Sequence, residues 1–140
     1  MFDRREFISA LGAWGLLAAT ANSRAQTNPR FSADPFSLGV ASGYPSADGF
    51  VFWTRLAPRP DDPRGGLNPE PIAVRWEVAT DDSMRNVVAS GTELAESDWA
   101  HSLHIEVQGL TASRPYWYRF TAGDAVSPIG RTRTAPAIDA

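Results

Sequence analysis

The chain has no cysteine and no lysine, and only two histidines among its 140 residues. Without thiols it can form no disulfide, no thiolate metal site and no cysteine nucleophile. All 13 basic residues are arginine, a composition bias, and outside Arg4 and Arg5 they form no cluster. No apolar run approaches the about 20 residues of a membrane-spanning helix, so no stable membrane anchor is expected. Helical periodicity is almost absent beyond residue 25, and there is no internal repeat or low-complexity segment. Residues 26–140 carry 10 basic and 14 acidic side chains, a net charge of −4. A mildly acidic chain without a basic patch excludes a nucleic-acid partner.

What is present begins with an export signal. Asp3-Arg4-Arg5-Glu6-Phe7-Ile8 precedes an apolar run from Phe7 to Thr20, and Ala21-Asn22-Ser23-Arg24-Ala25 follows. This is the three-part layout of a signal peptide over residues 1–25, with Ser23 and Ala25 as the small residues flanking a cut after Ala25; a cut after Ala21 is second. The pair Arg4 and Arg5 followed by Phe7 resembles a twin-arginine signal, read by a translocase that moves folded proteins. Little net charge ahead of a weakly apolar core favours that route over general secretion. The expected location is periplasmic or secreted.

Residues 26–35, holding Pro29 and Pro35, read as an extended lead-in. The stretch from residue 36 to 136 reads as strands. Phe36 to Ala41 alternates, and Ser42 to Gly49 forms the next turn. In Phe50–Arg55, Val51 and Trp53 share one face, Phe50 and Phe52 the other. Both faces are apolar, which is unusual where one side meets water. Leu56–Pro71 is so rich in proline and glycine that it must be a surface loop. Ile72–Ala79 alternates, with Val74 and Trp76 on one face. Val87–Ala89 gives a short strand ended by Gly91, and Glu93–Trp99 a loop. Ser102–Val107, Tyr116–Phe120 and Ile129–Thr134 complete about seven strands. Leu110 six residues before Tyr116 matches a tyrosine corner, in which a phenol bonds back to the backbone. The expected fold is all-β, an antiparallel β-sandwich of immunoglobulin or fibronectin type III kind. Its core is expected to hold Trp53, Trp76, Tyr116 and Tyr118, leaving Phe50 and Phe52 as an outer patch for another domain.

Catalytic chemistry is missing. His101 and His104, three apart on a strand, diverge and cannot chelate one ion; both read as surface residues. Asp61-Asp62 and Asp81-Asp82 sit in turns, where Asp bonds backbone N–H groups. No serine lies in a Gly-x-Ser-x-Gly elbow. Arg75, Arg119, Arg131 and Arg133 could gather on one sheet around a phosphate, or stay scattered in solvent.

Five blocks in order resemble the opening of alkaline phosphatase D (PhoD-type) enzymes. They are Phe36-Ser37-Leu38-Gly39-Val40-Ala41-Ser42-Gly43, Val51-Phe52-Trp53-Thr54-Arg55-Leu56, Trp76-Glu77-Val78-Ala79-Thr80-Asp81, Gly109-Leu110 with Tyr116-Trp117-Tyr118-Arg119-Phe120, and Gly130-Arg131-Thr132-Arg133-Thr134-Ala135-Pro136. Tyr44 departs from the family, which usually has an acid before this proline. The resemblance implies an N-terminal fibronectin-like domain ahead of a metallophosphoesterase domain that carries the metal ligands, with calcium and iron implicated. Residues 137–140 would start the linker to that domain, and no family metal ligand falls within this chain. The expectation is a non-catalytic fragment of an exported phosphatase or phosphodiesterase. The alternatives are a free-standing exported binding module using Phe50, Phe52 and the Leu56–Pro71 loop, or the sandwich domain of a purple acid phosphatase-like enzyme.

Overall fold

The computed structural model describes residues 28–139, so Arg4, Arg5, Phe7, Ser23 and Ala25, which the sequence suggests for an export signal, lie outside the described residues. The chain folds as an antiparallel β-sandwich. Its strands are β1 (Val40–Gly43), β2 (Phe50–Arg55), β3 (Ile72–Ala79), β4 (Val87–Ala95), β5 (Ser102–Val107), β6 (Pro115–Ala122), β7 (Ala125–Val126) and β8 (Gly130–Arg133), with a single 3-10 turn at Ser97–Trp99. One sheet runs β1-β2-β5; the other runs β4-β3-β6-β7, with β8 also on β6.

The alternation of β6 holds along its length. Tyr116, Tyr118 and Phe120 are buried, while Trp117 and Arg119 face outward. The corner that leads into it is a tyrosine corner: the Thr111 N–H donates to the Tyr116 phenol oxygen at 2.9 Å. Phe52 is the centre of the core, 5.1 Å from Tyr118, 5.3 Å from Phe120 and 5.7 Å from Trp76 between ring centroids. Fully burying a ring of this size contributes about 1.5–3 kcal/mol.

This reverses the expected faces of β2. Phe50 and Phe52 are inside, and Val51 and Trp53 are outside. The register explains it: Phe52 lies opposite Ile105, and Trp53 opposite His104. Strand β5 buries Leu103, Ile105 and Val107 and exposes His104 and Glu106, so its partner must turn the phenylalanines inward. Phe50 and Phe52 therefore cannot form a surface patch, and Trp53 is not a core residue. Trp76 packs against the core from a half-buried position.

Three boundaries also differ. Phe36 to Gly39 forms a turn rather than a strand, closed by Gly39 N–H to Phe36 O at 2.9 Å. The end of the lead-in belongs to the fold, since Pro35 is buried and its carbonyl accepts from Ala57 N–H at 2.8 Å. Strand β4 runs through Gly91 to Ala95. Gly91 is there for packing: a Cβ on it would sit 2.7 Å from the Trp76 indole.

Candidate functional site

The outer face of the β1-β2-β5 sheet is built by register. Ala41, Trp53 and His104 form one cross-strand row; Gly43, Val51 and Glu106 form the next. The Trp53 indole stacks on the His104 ring, with centroids 6.0 Å apart and planes 23° apart. Its other edge lies over Gly43, where a Cβ would come within 3.2 Å of the ring. The indole thus lies flat across three strands. Four of these six positions are apolar or glycine on a face that a solvated sheet would make polar. Tyr44 follows Gly43 with φ +48 and is 86% exposed.

The chain leaves the sandwich at the same end. The Ala135 N–H donates to Ser46 O at 2.8 Å, and its carbonyl accepts from Ser113 N–H at 3.1 Å. Buried Thr134 donates its hydroxyl to Thr111 O at 2.6 Å. The exit is clasped between the β1–β2 turn and the tyrosine corner.

The other outer face is charged and internally satisfied. Arg75, Arg119, Arg131 and Arg133 do gather on one sheet. Glu77 pairs with Arg119 at 2.8 Å and with Arg75 at 3.1 Å. Arg131 stacks over Trp117 at 5.7 Å. The single Glu77 carboxylate is shared by Arg75 and Arg119, and Arg131 covers an aromatic ring, so three of the four guanidinium groups are already engaged rather than gathered around one anion site.

The histidines diverge, but only His104 is a surface residue. His101 is buried, with Nε2 3.2 Å from Glu70 O. Positive φ at Ala100 and His101 turns the chain inward there, a feature that strand alternation does not foretell. The two turn acids serve the backbone. Asp62 accepts from Arg64 N–H at 2.8 Å, which holds its carboxyl below the usual range. Asp81 accepts from Asn86 and Arg85 with the same effect. Burial raises the Tyr118 phenol above its ordinary value, opposed by the Ser42 hydroxyl. Among the described residues no three His, Asp or Glu side chains could jointly hold a metal ion. The Leu56–Pro71 loop folds back on itself: Leu56, Ala57 and Pro58 are buried, and Arg59 N–H reaches Gly65 O at 2.8 Å.

Comparison with known proteins places this geometry. Residues 19–136 match the family described as PhoD-like phosphatase, N-terminal domain. The chain is 46% identical over 143 residues to alkaline phosphatase D of Bacillus subtilis (strain 168), covering 97% of this chain and 24% of that protein. A solved structure of PhoD superposes with a TM-score of 0.78 at 49% identity, over 80% of this chain and 21% of that one. The sensor domain of the anti-sigma factor RsgI4 from Pseudobacteroides cellulosolvens, at 10% identity and a TM-score of 0.51, covers 71% of this chain and 93% of its own; it shares the fold alone. The chain spans about a quarter of the length of the curated relative it matches.

Proposed function

The chain belongs to the PhoD-like phosphatase N-terminal domain family, and from that premise we propose that it is the non-catalytic opening domain of an exported phosphoric ester hydrolase. The observation that carries the reading is the family match over residues 19–136, together with a 46% identical relative of which the chain spans 24%. Ester hydrolysis at neutral pH needs an activated water or nucleophile, with positive charge fixed where the phosphoryl oxygens gain charge. The described residues offer two diverging histidines and arginines already engaged by Glu77 and Trp117. The metal-dependent chemistry therefore belongs to a metallophosphoesterase domain that follows in the longer relatives. This domain contributes a rigid sandwich beside it. Arg4 and Arg5 direct the protein through the twin-arginine translocase to the periplasm or medium.

The test is purified protein from residue 26 to 140, with calcium and iron salts, against nitrophenyl phosphate mono- and diesters. No turnover above buffer is expected. Joined to the part of the Bacillus relative that follows the matched quarter, the same chain should accompany chelator-sensitive turnover. Chelator-sensitive hydrolysis that copurifies with the isolated chain would overturn the proposal.

A further inference from the structure

We infer that the outer face of the β1-β2-β5 sheet, centred on Val51, Trp53 and Gly43 with Tyr44 at its margin, is the surface on which the domain that follows in the longer relatives docks. The inference rests on the function proposed above and names the face through which it operates.

Three observations converge on this face. Two of its three cross-strand rows are largely apolar where a sandwich face in water is polar: Val51 and Trp53 on β2 are flanked by Ala41 and Gly43 on β1, with His104 and Glu106 on β5, and only the third row, Arg55 with Ser102, is wholly polar. Its platform is held in place before any partner arrives, because the Trp53 ring is stacked on His104 on one side and laid over Gly43 on the other. A ring with few rotamers left loses little entropy on docking, and aromatic anchors dominate interfaces. Finally, the covalent route leads there. The chain exits at Ala135, bonded to Ser46 O, two residues from the exposed Tyr44. A domain tethered at that point meets this face at high effective concentration.

The opposite face keeps the exposed apolar residues Val88 and Leu94 on the edge strand β4 and places charge at its centre. Its centre is the Arg75–Glu77–Arg119 ion-paired row, and burying it would desolvate charges that water already serves. The occupant is therefore the following domain, seated on the three-stranded sheet.

The absence of cysteine makes a direct test available. Val51→Cys probes the proposed face, and Ser90→Cys, exposed on β4, probes the other sheet. Each variant is made in the chain alone and in the chain joined to the following portion of the Bacillus relative. Maleimide labelling rates are then compared, since thiol modification follows exposure. Docking on the proposed face should slow labelling of the Val51→Cys variant by about tenfold or more, as closure of an open surface does, and leave Ser90→Cys unchanged. Protection of Ser90→Cys alone would move the interface to the other sheet and overturn the inference. Equal labelling of both in a joined protein that hydrolyses the diester would overturn the docking face while leaving the proposed function standing. Should the joined protein not accumulate, each unlabelled cysteine variant of the chain is mixed with the separately produced following portion before maleimide is added, and the same two rates decide.

Discussion

Phe52 and Trp53 are adjacent in the chain, and the sandwich separates them completely. Phe52 touches three aromatic rings of the opposite sheet, while Trp53 lies on the outer surface against an imidazole. Phe52→Ala should therefore cost about 3–5 kcal/mol, the usual result of emptying a packed ring site. Trp53→Ala in the isolated chain should cost about 1 kcal/mol or less, as surface changes do. Urea unfolding of both variants checks this, and equal losses would contradict the face assignment. The alternation that pairs Val51 with Trp53 and Phe50 with Phe52 is legible in the sequence. Which pair faces the core is not, because all four are apolar. That choice is made by pairing with β5, some fifty residues away, where His104 and Glu106 mark the solvent side. Tyr116 posed no such difficulty: its corner partner Thr111 lies five residues off, and the motif is local.

Local signals served the elements in the same way. Strand β3 begins and ends where its alternation does, at Ile72 and Ala79. The full extent of β4 is not legible in the sequence, because Gly91 resembles a strand terminator and only the packed sheets show the Trp76 indole occupying the place of its missing Cβ. Between these strands, Asp81 ties the turn by accepting from Asn86 N–H at 2.8 Å and Arg85 N–H at 3.0 Å. Those bonds hold its pKa below the usual 3.8. The folded chain then binds fewer protons at this carboxyl than the unfolded chain does. The stabilisation is complete above pH 3.8 and is lost as pH falls through the lower folded value. The group is exposed, so the effect is modest. Asp81→Asn, which keeps an acceptor but cannot ionise, should flatten the acid limb of the stability profile, read from thermal melts between about pH 5 and pH 2. An unchanged acid slope would mean the turn carboxylate is energetically idle.

At the scale of the whole molecule, the sandwich class follows from short alternating strands separated by turns. The sequence shows that Val51 and Trp53 share a face, but that this face is the outer one follows only once β2 is paired with β5. Phosphoester chemistry enters only through family resemblance, because the described residues hold no cluster of three metal-ligating side chains to suggest it. The proposed twin-arginine export, read from Arg4 and Arg5, has a physical rationale. A domain proposed to dock beside a metal-bearing partner would benefit from folding where metal loading is controlled and then crossing the membrane intact. The pairings that close this sandwich, β2 with β5 and β3 with β6, join strands distant in sequence, and such topologies fold slowly. A route that accepts folded protein removes the need to hold the chain open. Replacing Arg4 and Arg5 together with lysine keeps the charge and removes the twin-arginine pair. The precursor should then accumulate inside the cell in a protease-resistant, folded form, with little in the periplasm or medium. Fractionation and a protease challenge read both quantities. Undiminished secretion of the double-lysine variant would return the protein to the general secretory route, where the chain crosses unfolded and the sandwich must form outside.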